Sequence, residues 1–162
     1  MNIKSLLVAV LALAASGSAF AGSNSTTFTV QADVIKECAV DGGNLVFPNS
    51  GLLTTNIDAT ANIQIECTGA VPYTLKNNGN YTTGVPLGSP TGKAFALTKP
   101  GFAVGFSLYS DASRTTEFAD TALISGTSTG GVQQIPVYGR IYTQNSQPAG
   151  VYTAVLPLVL TF

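Results

Sequence analysis

Ala59-Thr60-Ala61-Asn62-Ile63-Gln64-Ile65-Glu66-Cys67 alternates apolar and polar residues without a break. Side chains along a β-strand point to opposite faces in turn, so Ala59, Ala61, Ile63, Ile65 and Cys67 share one face. Thr60, Asn62, Gln64 and Glu66 take the other. The stretch reads as a strand with one buried face, on which Cys67 points inward. The same period of two recurs over residues 71–76, 94–98, 104–109, 132–142 and 151–162, and no convincing 3.6-residue apolar period competes with it. Turn chemistry separates these runs at Asn77-Asn78-Gly79-Asn80, Lys99-Pro100-Gly101, Gly130-Gly131 and Gln147-Pro148-Ala149-Gly150. Short strands that each carry one apolar face need a second sheet to cover them, which predicts an all-β antiparallel sandwich, with a closed barrel as the alternative. Ser125 to Gly131 lacks the Lys-Ser/Thr ending of a phosphate loop and reads as a loop between strands.

The N-terminus has its own organisation. Lys4, an apolar run from Leu6 to Ala15 and the small-x-small site Ala19-Phe20-Ala21 have the layout of a secretory signal peptide over residues 1–21. The run is too short to span a bilayer, and the mature chain is expected to start at Gly22 and not to be membrane-embedded. Behind the small polar leader Gly22-Ser23-Asn24-Ser25, the residues Phe28, Val30, Ala32 and Val34 alternate with Thr27, Thr29, Gln31 and Asp33, which is a further strand. At the other end Ala154, Leu156, Leu158, Leu160 and Phe162 form an apolar row. Val155, Pro157 and Val159 make the opposite face apolar too, although Pro157 cannot donate a ladder hydrogen bond.

Composition excludes several classes of function. The chain has no histidine, which removes Ser-His-Asp and Cys-His catalysis and imidazole-ligated zinc together. Its eight acids are dispersed along the sequence and supply no carboxylate pair by spacing. No catalytic, metal-binding or cofactor-binding residue is assigned, and the expectation is a protein that is not an enzyme. Without Lys4 six basic residues stand against eight acidic ones, so no basic field attracts a phosphate backbone and no nucleic-acid partner is expected. Only 9% of residues are charged, which suits a protein whose faces are covered by partners. Export brings Cys38 and Cys67 to an oxidising compartment, where an intramolecular disulfide is the default.

Several segments together resemble the spore coat protein U domain family, which includes the pilins of archaic chaperone-usher systems. They are Phe28 to Val34 ahead of Cys38, Asn62 to Cys67 leading into Pro72-Tyr73-Thr74, Leu108-Tyr109-Ser110-Asp111-Ala112-Ser113-Arg114-Thr115-Thr116, Val137 to Ile141, and Pro148 to Thr153 before the apolar C-terminal strand. The resemblance implies an incomplete immunoglobulin-like sandwich over residues 36–162, preceded by a leader and donor strand over residues 22–35. Phe28, Val30, Ala32 and Val34 would enter the hydrophobic groove of a neighbouring copy, and Ala154, Leu156, Leu158, Leu160 and Phe162 would border the acceptor groove and meet the chaperone. A Cys38–Cys67 bridge would tie the first two strands together. A periplasmic chaperone and an outer-membrane usher are the implied partners, and a cell-surface pilus serving adhesion and biofilm formation is the implied destination. The alternatives are a secreted sandwich that binds a ligand through loops such as 79–92 and 121–131, and a spore or cell coat protein.

Overall fold

A computed structural model describes residues 22–79, 94–118 and 124–162. The signal-peptide expectation, nearly all of the 79–92 loop and Ala119–Leu123 lie outside the described residues. Residues 22–33 belong to one unit, and residues 34–162 form the other. Residues 22–37 carry no regular strand, so the strand expected from the alternation of Phe28, Val30, Ala32 and Val34 is not formed within this chain, where no described strand pairs with it.

Among its described residues the second unit is all-β, with eight strands: β1 (Cys38–Asp41), β2 (Ile57–Cys67), β3 (Pro72–Asn77), β4 (Phe95–Lys99), β5 (Phe102–Tyr109), β6 (Ile124–Thr127), β7 (Gln133–Ile141) and β8 (Leu158–Thr161). One sheet runs β1-β2-β7-β5-β4 and the other β6-β3-β8, with every pairing antiparallel. This is a sandwich, and the barrel alternative falls. Along β2 the alternation holds as written: Ala59, Ile63, Ile65 and Cys67 are buried, while Thr60, Asn62, Gln64 and Glu66 are exposed. The core between the sheets is built from the inward rows of β2, β3, β4, β5 and β7, with Ile65, Leu75, Phe95 and Phe106 among its buried members.

Three departures from the pattern have physical causes. Ile124 to Thr127 is a strand, paired from Leu75 to Pro72, where a loop is expected from Ser125 onward. Gly126 is tolerated there because Tyr73 Oη would lie 2.7 Å from any added Cβ, so only glycine leaves room for the ring. The expected C-terminal strand over 151–162 is broken: Thr153 exchanges both backbone hydrogen bonds with Thr98 on β4, and only Leu158–Thr161 pair with β3. The chain therefore crosses from one sheet to the other over residues 154–157, and Pro157 sits at the end of the crossing. Its carbonyl accepts from Asn78 N at 2.8 Å, while the donor it lacks is simply not called upon. Pro136 lies within β7 opposite Asn62, but beyond Tyr138, the last residue of β7 that β5 flanks. That is an edge position, where proline is admissible.

Candidate assembly cleft

β1 is short, yet two features hold it in register. Cys38 and Cys67 are bonded to each other across a directly opposed pair, with Cα atoms 4.1 Å apart. Thr68 clamps the entry to the strand: its N donates to Glu37 O, and its hydroxyl accepts from Glu37 N and donates to Ile35 O, each at 2.9 Å. Hydrogen-bonded and open pairs alternate in an antiparallel ladder, so the Thr68–Glu37 bond places Ala39 and Asp41 on the β2 side. The main-chain groups of Cys38 and Val40 then face away from β2, toward a free edge.

β8 presents a matching edge. The Asn78–Pro157 bond sets the phase, so Val159 and Thr161 bond β3, and the N–H and C=O of Leu158 and Leu160 point outward. The edges of β1 and β8 thus border a strip between the two sheets. Under it lies a cleft of about 220 Å³. Its floor is the inner face of the five-stranded sheet, at Ile63, Phe106, Leu108 and Val137. Leu45 and Phe47, in the segment after β1, line one side; Ala154, Leu156 and Leu158 line the other. Gly139 of β7 makes this possible, because a Cβ there would meet Leu45 Cδ2 and Phe47 Cζ at 2.8 Å. Val40 marks the incomplete cover: its cross-strand partner Ile65 is sealed at 0% exposure, whereas Val40, on the same face, is 37% exposed. At Gly42 the two sides approach, with Leu158 Cδ1 3.1 Å from the position of an added Cβ.

The structure brings together some of the residues expected at the groove and not others. Ala154, Leu156 and Leu158 line the cleft; Leu160 packs on the core opposite Leu75, and Phe162 lies beyond β8 and is half exposed. Sequence reasoning missed the Leu45–Phe47 side. Its signal was present in Leu45-Val46-Phe47, where Leu45 and Phe47 are half-buried and Val46 is 77% exposed. It also missed Asn77, a polar residue in the lining. In the N-terminal unit Phe28 is 89% and Val30 78% exposed, and Ala32 is exposed as well; Val34, at the start of the second unit, is 84% exposed.

The ionisable groups lie elsewhere. Asp58 on β2 accepts from Arg140 on β7 through both carboxylate oxygens, at 2.7 and 2.8 Å, and Arg114 stands 3.4 Å away. The Arg140 hydrogen bond holds the Asp58 carboxyl below its usual range, against partial desolvation. Asp111 accepts from the backbone of Thr116 and Thr115 and from the Thr115 hydroxyl, which lowers its pKa as well. The Leu108–Thr116 motif is therefore a folded loop pinned to the sheet, with Arg114 in the left-handed region at φ 57°. None of these groups lines the cleft.

The structure resembles one partner in a solved chaperone–tip adhesion subunit pre-assembly complex, CsuC–CsuE, from the archaic chaperone-usher Csu pili of Acinetobacter baumannii, with a TM-score of 0.55 at 12% sequence identity. The match covers 80% of this chain and 40% of that one, so this chain spans well under half the length of its structural relative. The likeness supports the sandwich fold. No curated protein matches the sequence. The family model described as the Spore Coat Protein U domain matches residues 24–158, most of the chain, which therefore belongs to the Spore Coat Protein U domain family.

Proposed function

We propose that this protein is a structural, non-enzymatic subunit of a surface pilus, assembled when residues 28–34 of one copy enter the cleft of the next. The observation that carries this reading is the pair of free edges on β1 and β8 beside a cleft lined by core side chains. A strand laid there would bond both edges through its main chain, and its alternate side chains would complete the core, which is β-strand addition. Phe28, Val30, Ala32 and Val34 supply the matching row. Burying the larger three contributes roughly 1.5–3 kcal/mol each before ladder bonds are counted.

An open edge next to exposed core is an aggregation hazard, so the subunit needs a protector until a neighbour arrives. A periplasmic chaperone meets that need, and an outer-membrane usher provides the place of exchange. The similar structure comes from a chaperone–subunit pre-assembly complex of archaic chaperone-usher pili, which supports the same route here. On this reading the chain passes through the periplasm to the cell surface, where the fibre serves adhesion and biofilm formation.

Val30→Asp tests the donor assignment. A carboxylate at that position would be buried without a partner, so the variant should bind its chaperone normally and form no fibres. Fibres of ordinary length and heat resistance would refute the assignment.

A further inference from the structure

Asn77 ends the inward row Tyr73, Leu75, Asn77 of β3 and is wholly buried. Its Oδ1 accepts from Gly79 N at 2.8 Å, but its Nδ2 has no hydrogen-bond partner among the described residues, and the residue lines the cleft. Folded proteins rarely leave a buried donor unpaired, because the hydrogen bonds it made to water are lost without replacement. Leu156, Leu158, Phe106 and Phe118 share the lining and have no side-chain acceptor to offer. The other polar side chain of the lining, Asn44, is exposed, so among the described residues Asn77 supplies the one buried side-chain donor of the cleft.

We propose that Asn77 is a strand-binding residue of the cleft, whose Nδ2 donates to a main-chain carbonyl oxygen of the polypeptide strand that fills it. The inference rests on the strand-insertion reading above. A main-chain acceptor follows from the donor row itself, since Phe28, Val30, Ala32 and Val34 carry no side-chain oxygen. A buried donor that is unpaired in the empty cleft and meets a carbonyl in the filled one favours the filled state.

The test uses the chain from Gly22, labelled with ¹⁵N, and an unlabelled synthetic peptide of residues 22–36. Peptide binding should move the Asn77 side-chain amide protons downfield and slow their exchange at least about tenfold. Asn77→Leu should weaken peptide binding about threefold to tenfold, and it should lower the urea midpoint of the peptide-free chain, because the buried Gly79 N–H loses its acceptor. Unmoved amide signals, with equal peptide affinity in wild type and variant, would mean that Asn77 only caps Gly79, and would overturn the proposal while sparing strand insertion. A peptide that does not bind the wild-type chain at all would sink both. Should Asn77→Leu fail to fold, the wild-type amide signals decide the matter alone.

Discussion

Asp58 joins three separate stretches of chain through two guanidinium groups. Arg140 faces it across the β2–β7 ladder, and Arg114 reaches it from the loop after β5 while donating from Nε to Gly139 O at 3.3 Å. Both guanidiniums also lie near aromatic rings, Arg114 over Tyr138 at 5.7 Å and Arg140 over Tyr142 at 5.8 Å. Arg114 has positive φ, a conformation that costs a non-glycine residue of order 1 kcal/mol and persists only where neighbours hold it. The Asp58 side chain is 38% exposed, so solvent screening keeps the ion pairs modest, and Asp58→Asn should cost about 1 kcal/mol or less at pH 7. Asp58 has a lower pKa folded than unfolded, so its contribution is full above the ordinary aspartate range and is lost as pH falls through the depressed folded value. Urea midpoints of wild type and variant should therefore differ most near pH 7 and converge once the pH falls below the depressed folded value. A constant difference across that range would show that the substitution acts through packing and not through charge. Asp111 titrates with the same sign in both proteins and leaves the comparison intact.

At the scale of elements, β1 is four residues long and sits at a sheet edge, with the Cys38–Cys67 bridge as its covalent attachment to β2. Replacing both cysteines by alanine should destabilise the chain by about 3–4 kcal/mol, as expected for opening a loop of this length in the chain-entropy account. Hydrogen exchange should then quicken first at the amides of Ala39 and Asp41, ahead of those within β2. Equal protection of β1 and β2 in the variant would show that Thr68 alone suffices to hold the edge. The sequence announces long half-buried strands clearly, as in β2, because eleven residues repeat one physical rule. It hides β1 and β6 because four residues hold too few periods, and because Ser125-Gly126-Thr127 are weak strand formers whose pairing is imposed by β3. It also merges residues 151–162 into one strand, since periodicity carries no information about which sheet a residue joins. Three of the five residues expected at the groove, Ala154, Leu156 and Leu158, line it nonetheless, because the inward row continues through the crossing. Leu45 and Phe47 escape notice because their side of the cleft depends on a glycine nearly a hundred positions later, at Gly139.

For the molecule as a whole, the two halves of the proposed junction, residues 28–34 and the cleft, are separate parts of each copy. A contact of this type is heterologous: each copy gives one strand and receives one, and repetition extends a fibre instead of closing a symmetric dimer. With only 9% of residues charged, electrostatic repulsion does little to keep copies apart. Control over assembly must then come from access to the cleft. The directionality makes a strict prediction for a chain lacking residues 22–35 but retaining the sandwich. Such a copy can receive a donor strand and cannot give one. Mixed with excess full-length copies and labelled for electron microscopy, it should appear only at fibre ends, always at the same end, and at most once per fibre. Labels spaced along the shaft would mean that copies join without residues 28–34, and the cleft would then have some other occupant. Labels at both ends would mean that the junction has no fixed direction, which a single donated strand does not allow.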